Sequence, residues 1–394
     1  MGLLNTTTGE LLVSLCLTLL VWGAEGQGTG KVKLVLGSEE INLGQHQGTW
    51  APLMQTRENL TQVKSIRSTF LFRTFDPEGV VFYGDTLNGK DWFILALKDG
   101  IPEMQIGKAD ILVSMHGGPK INDGKWHLLE ISNNGDFVRL NVDSQKEVIV
   151  GLKSKMTESV LQGQIRLAIG GILVSPENLL VPFQPAMDGC IRQGNWLNLS
   201  MPWETQQLGE PRPCYANIEP GSYFTGAGVA TFNTTELPAY QTEDIGITIS
   251  IQGDSSMLNG TILSLKTPGE EIATTRLIVD NDLKNIKLTI RTIESISKSI
   301  RFTKLTLTLK KNQLNMKTDE TEMKLESDDI PDYLSRWKEG MILAFGGLQE
   351  DRAPDNSNQY LKGCLAKIQV LGQDVDLDRA LYKDASISSH SCPS

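Results

Sequence analysis

Residues 68–108 read STFLFRTFDPEGVVFYGDTLNGKDWFILALKDGIPEMQIGK. Side chains alternate along a strand, so Ile66, Ser68, Phe70, Phe72 and Thr74 share one face. The same rule groups Asp91, Phe93, Leu95 and Leu97, and then Met104, Ile106 and Lys108. Between these runs stand Asp76-Pro77-Glu78-Gly79, Asn88-Gly89 and Asp99-Gly100, the residue types that tight turns require. Downstream, Asn122-Asp123-Gly124 and Asn134-Gly135-Asp136 keep the rhythm, with Leu129 and Ile131, then Val138, Leu140 and Val142, alternating between them. Short alternating runs at close, even spacing predict an all-β chain, an antiparallel sandwich or barrel. Helical periodicity is confined to short pieces, Tyr333 to Lys338 and Leu377 to Tyr382.

Three polar side chains fall on faces that otherwise read as core: Ser68, Asp91 and Lys108. A buried carboxylate is costly unless paired, so Asp91 and Lys108 require each other or a ligand. The plainer alternative makes Ser68 a filler and puts Asp91 and Lys108 at strand ends facing water. Asp76 and Glu78 flank Pro77 in a tight turn, which suits two oxygen ligands of a hard cation but is also an ordinary turn sequence.

At 394 residues the chain is long enough for two domains, each burying its own core. Charged residues at 21% and hydrophobic ones at 40% describe a globular protein. A net charge of −10 leaves no basic surplus for phosphates and argues against a nucleic-acid partner. The uncharged run Leu11 to Val21 has the length of a signal-peptide core, and small residues follow at Gly23 and Ala24. Residues 1–26 are therefore expected to be a signal peptide, and 27–49, rich in Gly, Gln and Lys, a loose N-terminal arm. No later stretch is apolar for long enough to span a bilayer, so a secreted, extracellular protein is expected. Sequons at Asn59, Asn198, Asn233 and Asn259 agree with that route.

Loss of the leader removes Cys16 and leaves Cys190, Cys214, Cys364 and Cys392. Of the three possible connectivities, nearest-neighbour pairing, Cys190 with Cys214 and Cys364 with Cys392, is the first choice. The cysteines also anchor a repeat. Ile165-Arg166-Leu167-Ala168-Ile169-Gly170-Gly171-Ile172 leads to Met187-Asp188-Gly189-Cys190, and Met341-Ile342-Leu343-Ala344-Phe345-Gly346-Gly347-Leu348 leads to Leu361-Lys362-Gly363-Cys364. Two copies of one domain are expected, at 50–216 and 217–394.

The Asp76-Pro77-Glu78-Gly79 turn, the Asp123-Gly124-Lys125-Trp126-His127 run, the Gly170-Gly171 pair and the Asp188-Gly189-Cys190 closure together resemble the laminin G-like family. The chain looks like two tandem laminin G-like antiparallel β-sandwiches of jelly-roll type. Two such domains directly after a signal peptide are similar to the steroid-carrying branch of that family. The resemblance implies a secreted plasma glycoprotein that binds androgens and oestrogens in its first domain, dimerises through that domain, and holds calcium. It puts steroid contacts on Ser68, Asp91 and Phe93, and on Lys108 where the branch commonly has asparagine, with Thr86, Ile131 and Ile165 lining the pocket. Calcium would be held by Asp76, Glu78, Asp188 and the backbone carbonyl of Ala186. No zinc is expected beside the steroid, because Ala109 stands where the branch has a histidine. The second domain lacks both the Asp-Pro-Glu-Gly turn and a carboxylate matching Asp91, so neither pocket nor calcium is expected there. A surface that binds a receptor or a glycan, as in other laminin G-like proteins, is the alternative.

Catalysis has little support. The four histidines, His46, His116, His127 and His390, lack metal-ligand spacing, and no Gly-x-Ser-x-Gly or phosphate loop is present.

Overall fold

The computed structural model describes residues 30–33, 39–45, 50–63, 67–86, 88–108, 111–133, 137–151, 163–205, 212–237, 244–251, 255–270, 273–298, 301–348 and 360–394. The expected signal peptide, Ile66, Ala109, His46 and the turn at 134–136 lie outside them.

Two pairs of antiparallel sheets follow one another along the chain. In the first pair an eight-stranded sheet runs, in spatial order, Gly30–Lys33, Pro202–Thr205, Met54–Asn59, Gln164–Ile169, Gly79–Thr86, Asp91–Lys98, Ile101–Lys108 and Ile111–His116. The facing six-stranded sheet runs Gln145–Gly151, Phe137–Val142, His127–Asn133, Arg67–Thr74, Gly189–Asn195 and Glu40–Asn42. The second pair has seven strands, centred on Thr275–Asp280, Gly260–Lys266 and Ile342–Phe345, against six centred on Lys304–Lys310 and Ile245–Ser250. These are antiparallel β-sandwiches, as the alternation predicts, and two of them, as the resemblance implies.

The Asp-Pro-Glu-Gly turn is not a hairpin. Arg67–Thr74 and Gly79–Thr86 belong to different sheets, so the turn carries the chain from one layer to the other. Between the layers Phe70 and Phe72 meet Phe82, Leu95 and Met104, all at most 1% exposed. Trp196 stacks on Phe70 with ring centroids 5.2 Å apart. Gly79–Thr86 departs from alternation because its second face is buried as well: Val80, Tyr83, Ile94 and Ala96 pack under Ile172 and Phe183. Gln105, itself fully buried, holds that covering segment by donating to Val181 O at 2.8 Å and accepting from Leu180 N at 2.9 Å.

Cys190 is bonded to Cys214 and Cys364 to Cys392, the nearest-neighbour pairing. Tyr333–Glu339 is an α-helix, capped by Asp332 at its start and by Gly340 in the left-handed region at its end. The second helical expectation shortens to a 3-10 turn at Leu377–Arg379. Residues 27–49 are not a loose arm where they are described. Gly30–Lys33 pairs with Pro202–Thr205, Glu40–Asn42 pairs with Gly189–Asn195, and Ile41 and Leu43 are buried, because two sheet edges need covering. Gly170 and Gly171 sit just past a strand end. A side chain at Gly171 would lie 2.5 Å from Pro52 Cα, so the pair serves close packing of backbone on backbone.

Candidate functional site

At one end of the first sandwich the strands of the eight-stranded sheet that finish at Asn59, Thr86 and Lys108 meet those that begin at Asp91, Ile111 and Gln164. There the layers part around a cavity of about 290 Å³. All seven residues proposed for steroid contact line it: Ser68, Thr86, Asp91, Phe93, Lys108, Ile131 and Ile165. Ser68 is 2% exposed, lies opposite Ile131, and accepts a hydrogen bond from Leu197 N at 3.3 Å. Asp91 is the cross-strand partner of Lys108 on one side and of Thr86 on the other, and both ends of the Asp91–Lys108 pair are half-buried. The cavity thus has apolar walls, a buried hydroxyl within, and a carboxylate and an ammonium side by side. Alternation did not reveal Leu60, Val63 and Leu197. Leu60 opens a 3-10 turn that Val63 closes, and Leu197 sits in a left-handed turn, where period-two reading has no purchase.

A second cluster forms where the two sandwiches meet. Asp76, 2% exposed, accepts from Glu78 N at 3.0 Å and from Asp188 N at 2.8 Å. Asp188 in turn accepts from Ser388 Oγ and His390 N, each at 2.7 Å. His390 Nε2 lies 3.2 Å from Asp378 Oδ2, 3.3 Å from Asp376 Oδ1 and 3.5 Å from Asp76 Oδ1. Burial works against every charge here. It raises the Asp76 carboxyl well above its usual range. At Asp378 burial is outweighed by Lys383, 2.7 Å away, and by His390, so that carboxyl is held low. Burial would lower the His390 imidazole, but Asp76, Asp376 and Asp378 hold it well above its ordinary value.

The four residues expected to hold calcium are only partly brought together. Asp76 and Asp188 meet, and the Ala186 carbonyl lies so close to the turn that a side chain at Gly79 would come within 2.2 Å of it. Glu78 instead faces Arg379 at 3.3 Å, and an imidazole nitrogen stands among the carboxylates. Calcium takes six to eight oxygen ligands, waters among them, and of the four residues Glu78 is the one turned toward another partner.

Of the sequon asparagines, Asn59 and Asn198 are exposed while Asn233 and Asn259 are half-buried. Among the described residues no helix is long and apolar enough to cross a membrane.

Residues 72–201 match the Laminin G domain family. Over almost the whole chain the likeness is narrower. The chain is similar to the sex hormone-binding globulin of Crocuta crocuta, with 30% identity over 342 residues that make up 85% of this chain and 84% of that one. The chain belongs to the sex hormone-binding globulin family. The family member from Oryctolagus cuniculus is 29% identical over 346 residues, 87% of this chain and 85% of its own length. Among solved structures, domains LG4-5 of the mouse laminin alpha1 chain superpose with a TM-score of 0.63, covering 94% of this chain and all of that one, at 17% identity. That last likeness concerns the fold alone.

Proposed function

We propose that this chain is a secreted carrier that binds sex steroids, androgens and oestrogens, in the cavity of its first sandwich and does no chemistry on them. One observation carries the reading: seven residues singled out in sequence for steroid contact surround a single cavity. A steroid is rigid and apolar with an oxygen at each end. Burying roughly 300 Å² of it supplies about 7 kcal/mol, and its rigidity keeps the ordering cost small. Ser68 serves one terminal oxygen. At the other end Asp91 accepts from a hydroxyl to which Lys108 donates. A surface-binding module would turn these groups outward, whereas Ser68 is buried.

Residues 50–216 are the steroid-binding domain in this reading and 217–394 a second, structural or partner-binding one. Homodimerisation through the first domain has support from its outer strand, Ile111–His116, which exposes Ile111, Leu112 and Met115. Membership of the sex hormone-binding globulin family supports the ligand class and a plasma location. Equilibrium dialysis of the secreted full chain with tritiated dihydrotestosterone and oestradiol tests it. Saturable nanomolar binding, one steroid per chain, is expected; absence of binding by folded, disulfide-bonded protein favours the surface-binding alternative.

A further inference from the structure

We propose that Asn59 carries an N-linked oligosaccharide that stands at the mouth of the cavity in the first sandwich and slows the passage of its ligand. The role rests on the carrier reading; the modification does not. Asn59-Leu60-Thr61 is an acceptor sequence for that modification in a chain that follows the secretory route. The register puts Asn59 in the row of strand ends that rims the cavity. Asn59 pairs with Gln164, the next residue Ile165 pairs with Thr86, Thr86 with Asp91, and Asp91 with Lys108. Neighbouring strands lie about 4.8 Å apart, and the order of strands puts two others between those of Asn59 and Asp91, so roughly 14 Å separates the two along the rim.

Exposure along the cavity wall tells its open side from its closed one. Ser68 and Phe82 are buried, whereas Leu60, Val63 and Lys108 are half-buried and Phe137 is 41% exposed. The residue that follows Asn59 therefore belongs to the mouth. The Asn59 side chain is itself disposed for the modification. Its Oδ1 accepts from Thr61 N at 3.1 Å and caps the 3-10 turn Leu60–Gln62, while Nδ2 has no partner among the described residues. Asn59, Thr61 and Gln62 are all exposed, so that nitrogen is left to solvent with room for a branched chain. In the modification Nδ2 displaces the diphosphate of a polyprenyl diphosphate-linked oligosaccharide. A C–N bond forms at the first sugar's C1, its C–O bond to the diphosphate breaks, the diphosphate leaves with the electron pair, and the amide gives up one proton.

The other three sequons lack this position. Asn233 and Asn259 belong to the second sandwich, and Asn259 Oδ1 is taken by Asn281 N at 3.2 Å. Asn198 follows Leu197, which lines the buried wall of the cavity. A hydrated oligosaccharide beside the mouth crowds the approach without touching a ligand that lies fully inside. It raises the barrier to entry and to exit alike, so both rate constants fall while their ratio, the dissociation constant, stays the same.

The test compares the full secreted chain with Thr61→Ala and Asn59→Asp. Both abolish the acceptor sequence and keep a side-chain oxygen at position 59 to cap the turn. Mass spectrometry of peptides released with peptide-N-glycosidase in heavy-oxygen water reads occupancy at Asn59, and rapid filtration with tritiated oestradiol reads the two rates. An occupied Asn59 is expected, with association and dissociation each about threefold or more faster in both variants and a dissociation constant within about twofold of the parent. Asn233→Gln, on the second sandwich, should leave both rates unchanged. An unmodified Asn59 overturns the proposal. So do parent-like rates in Thr61→Ala, acceleration confined to Asn59→Asp, or equal acceleration by Asn233→Gln. Failure of every form to bind oestradiol while Asn59 is occupied would instead overturn the carrier reading, and the gating role with it.

Discussion

Replacing Ser68 by alanine separates a ligand contact from a packing residue. The hydroxyl carries one donor and two acceptor sites, and the protein uses one acceptor, for Leu197 N at 3.3 Å. Its proton is therefore available to an oxygen in the cavity that Ser68 lines. Ser68→Ala leaves the methylene in place, so no sizeable void opens and the fold survives. The Leu197 amide loses a long hydrogen bond, which sets the stability cost near the lower end of the range for a buried orphan, about 1 kcal/mol. A bound steroid loses its hydrogen bond at that end, about 1–3 kcal/mol, which is roughly a 5- to 150-fold weaker dissociation constant. Dialysis against labelled oestradiol and dihydrotestosterone reads the second effect, and thermal melting followed by circular dichroism reads the first. An affinity within twofold of the parent, alongside a lowered melting temperature, would refute the hydrogen bond to the ligand and leave Ser68 as a support for the Leu197 turn.

Gly84→Ala would push a methyl within 2.5 Å of the Phe93 ring, whose free space is the cavity. More than tenfold weaker steroid binding is expected, with a stability loss inside the roughly 1–3 kcal/mol of ordinary overpacking, checked by dialysis and melting. Gln105→Ala strips hydrogen bonds from Leu180 N and Val181 O under a fully buried position. It should cost about 3 kcal/mol in urea unfolding, since each orphaned buried group carries about 1–3 kcal/mol. Acid should weaken the fold in part through Asp123. Slight burial raises its pKa, but bonds from Lys125 and His127 outweigh that and hold the carboxyl at about 2. A folded value below the unfolded 3.8 means stability present above that value and lost as pH falls toward about 2. Solvent screening keeps the effect small. Asp123→Asn should flatten the curve in that window and lower it slightly above, where the parent's carboxylate is ionised, with the two proteins converging as pH falls toward about 2, as read by denaturant melts at stepped pH.

The fold was legible because sandwich strands with one buried face must alternate, and the inward set Ser68, Phe70 and Phe72 follows from that alone. Legibility failed where burial is two-sided or irregular. Gly79–Thr86 is buried on both faces by a covering segment near Phe183, and no local pattern announces a lid of that kind. Glu40–Asn42 looked like part of a tail because a three-residue edge strand is too short to show a period. At the cavity, Asp91 and Lys108 stood out as charges on apolar faces, and their pairing follows from the register of a hairpin through Asp99-Gly100. Leu60 and Val63 gave no such signal, since an apolar residue beside a turn is unremarkable by itself. The junction cluster was hidden for another reason. Asp76 and His390 are more than three hundred positions apart, and the Asp-Pro-Glu-Gly turn could suggest a cation without showing that an imidazole from the far end of the chain would join it.

The most direct measurement is a crystal structure of the full secreted chain with bound oestradiol. Steroid density between Ser68 and the Asp91–Lys108 pair, one oxygen within hydrogen-bond distance of Ser68 Oγ and the other of Asp91, is the expected result. Density at another place, or a cavity filled by the chain's own side chains while steroid binds saturably in solution, would contradict the carrier site proposed for the first sandwich.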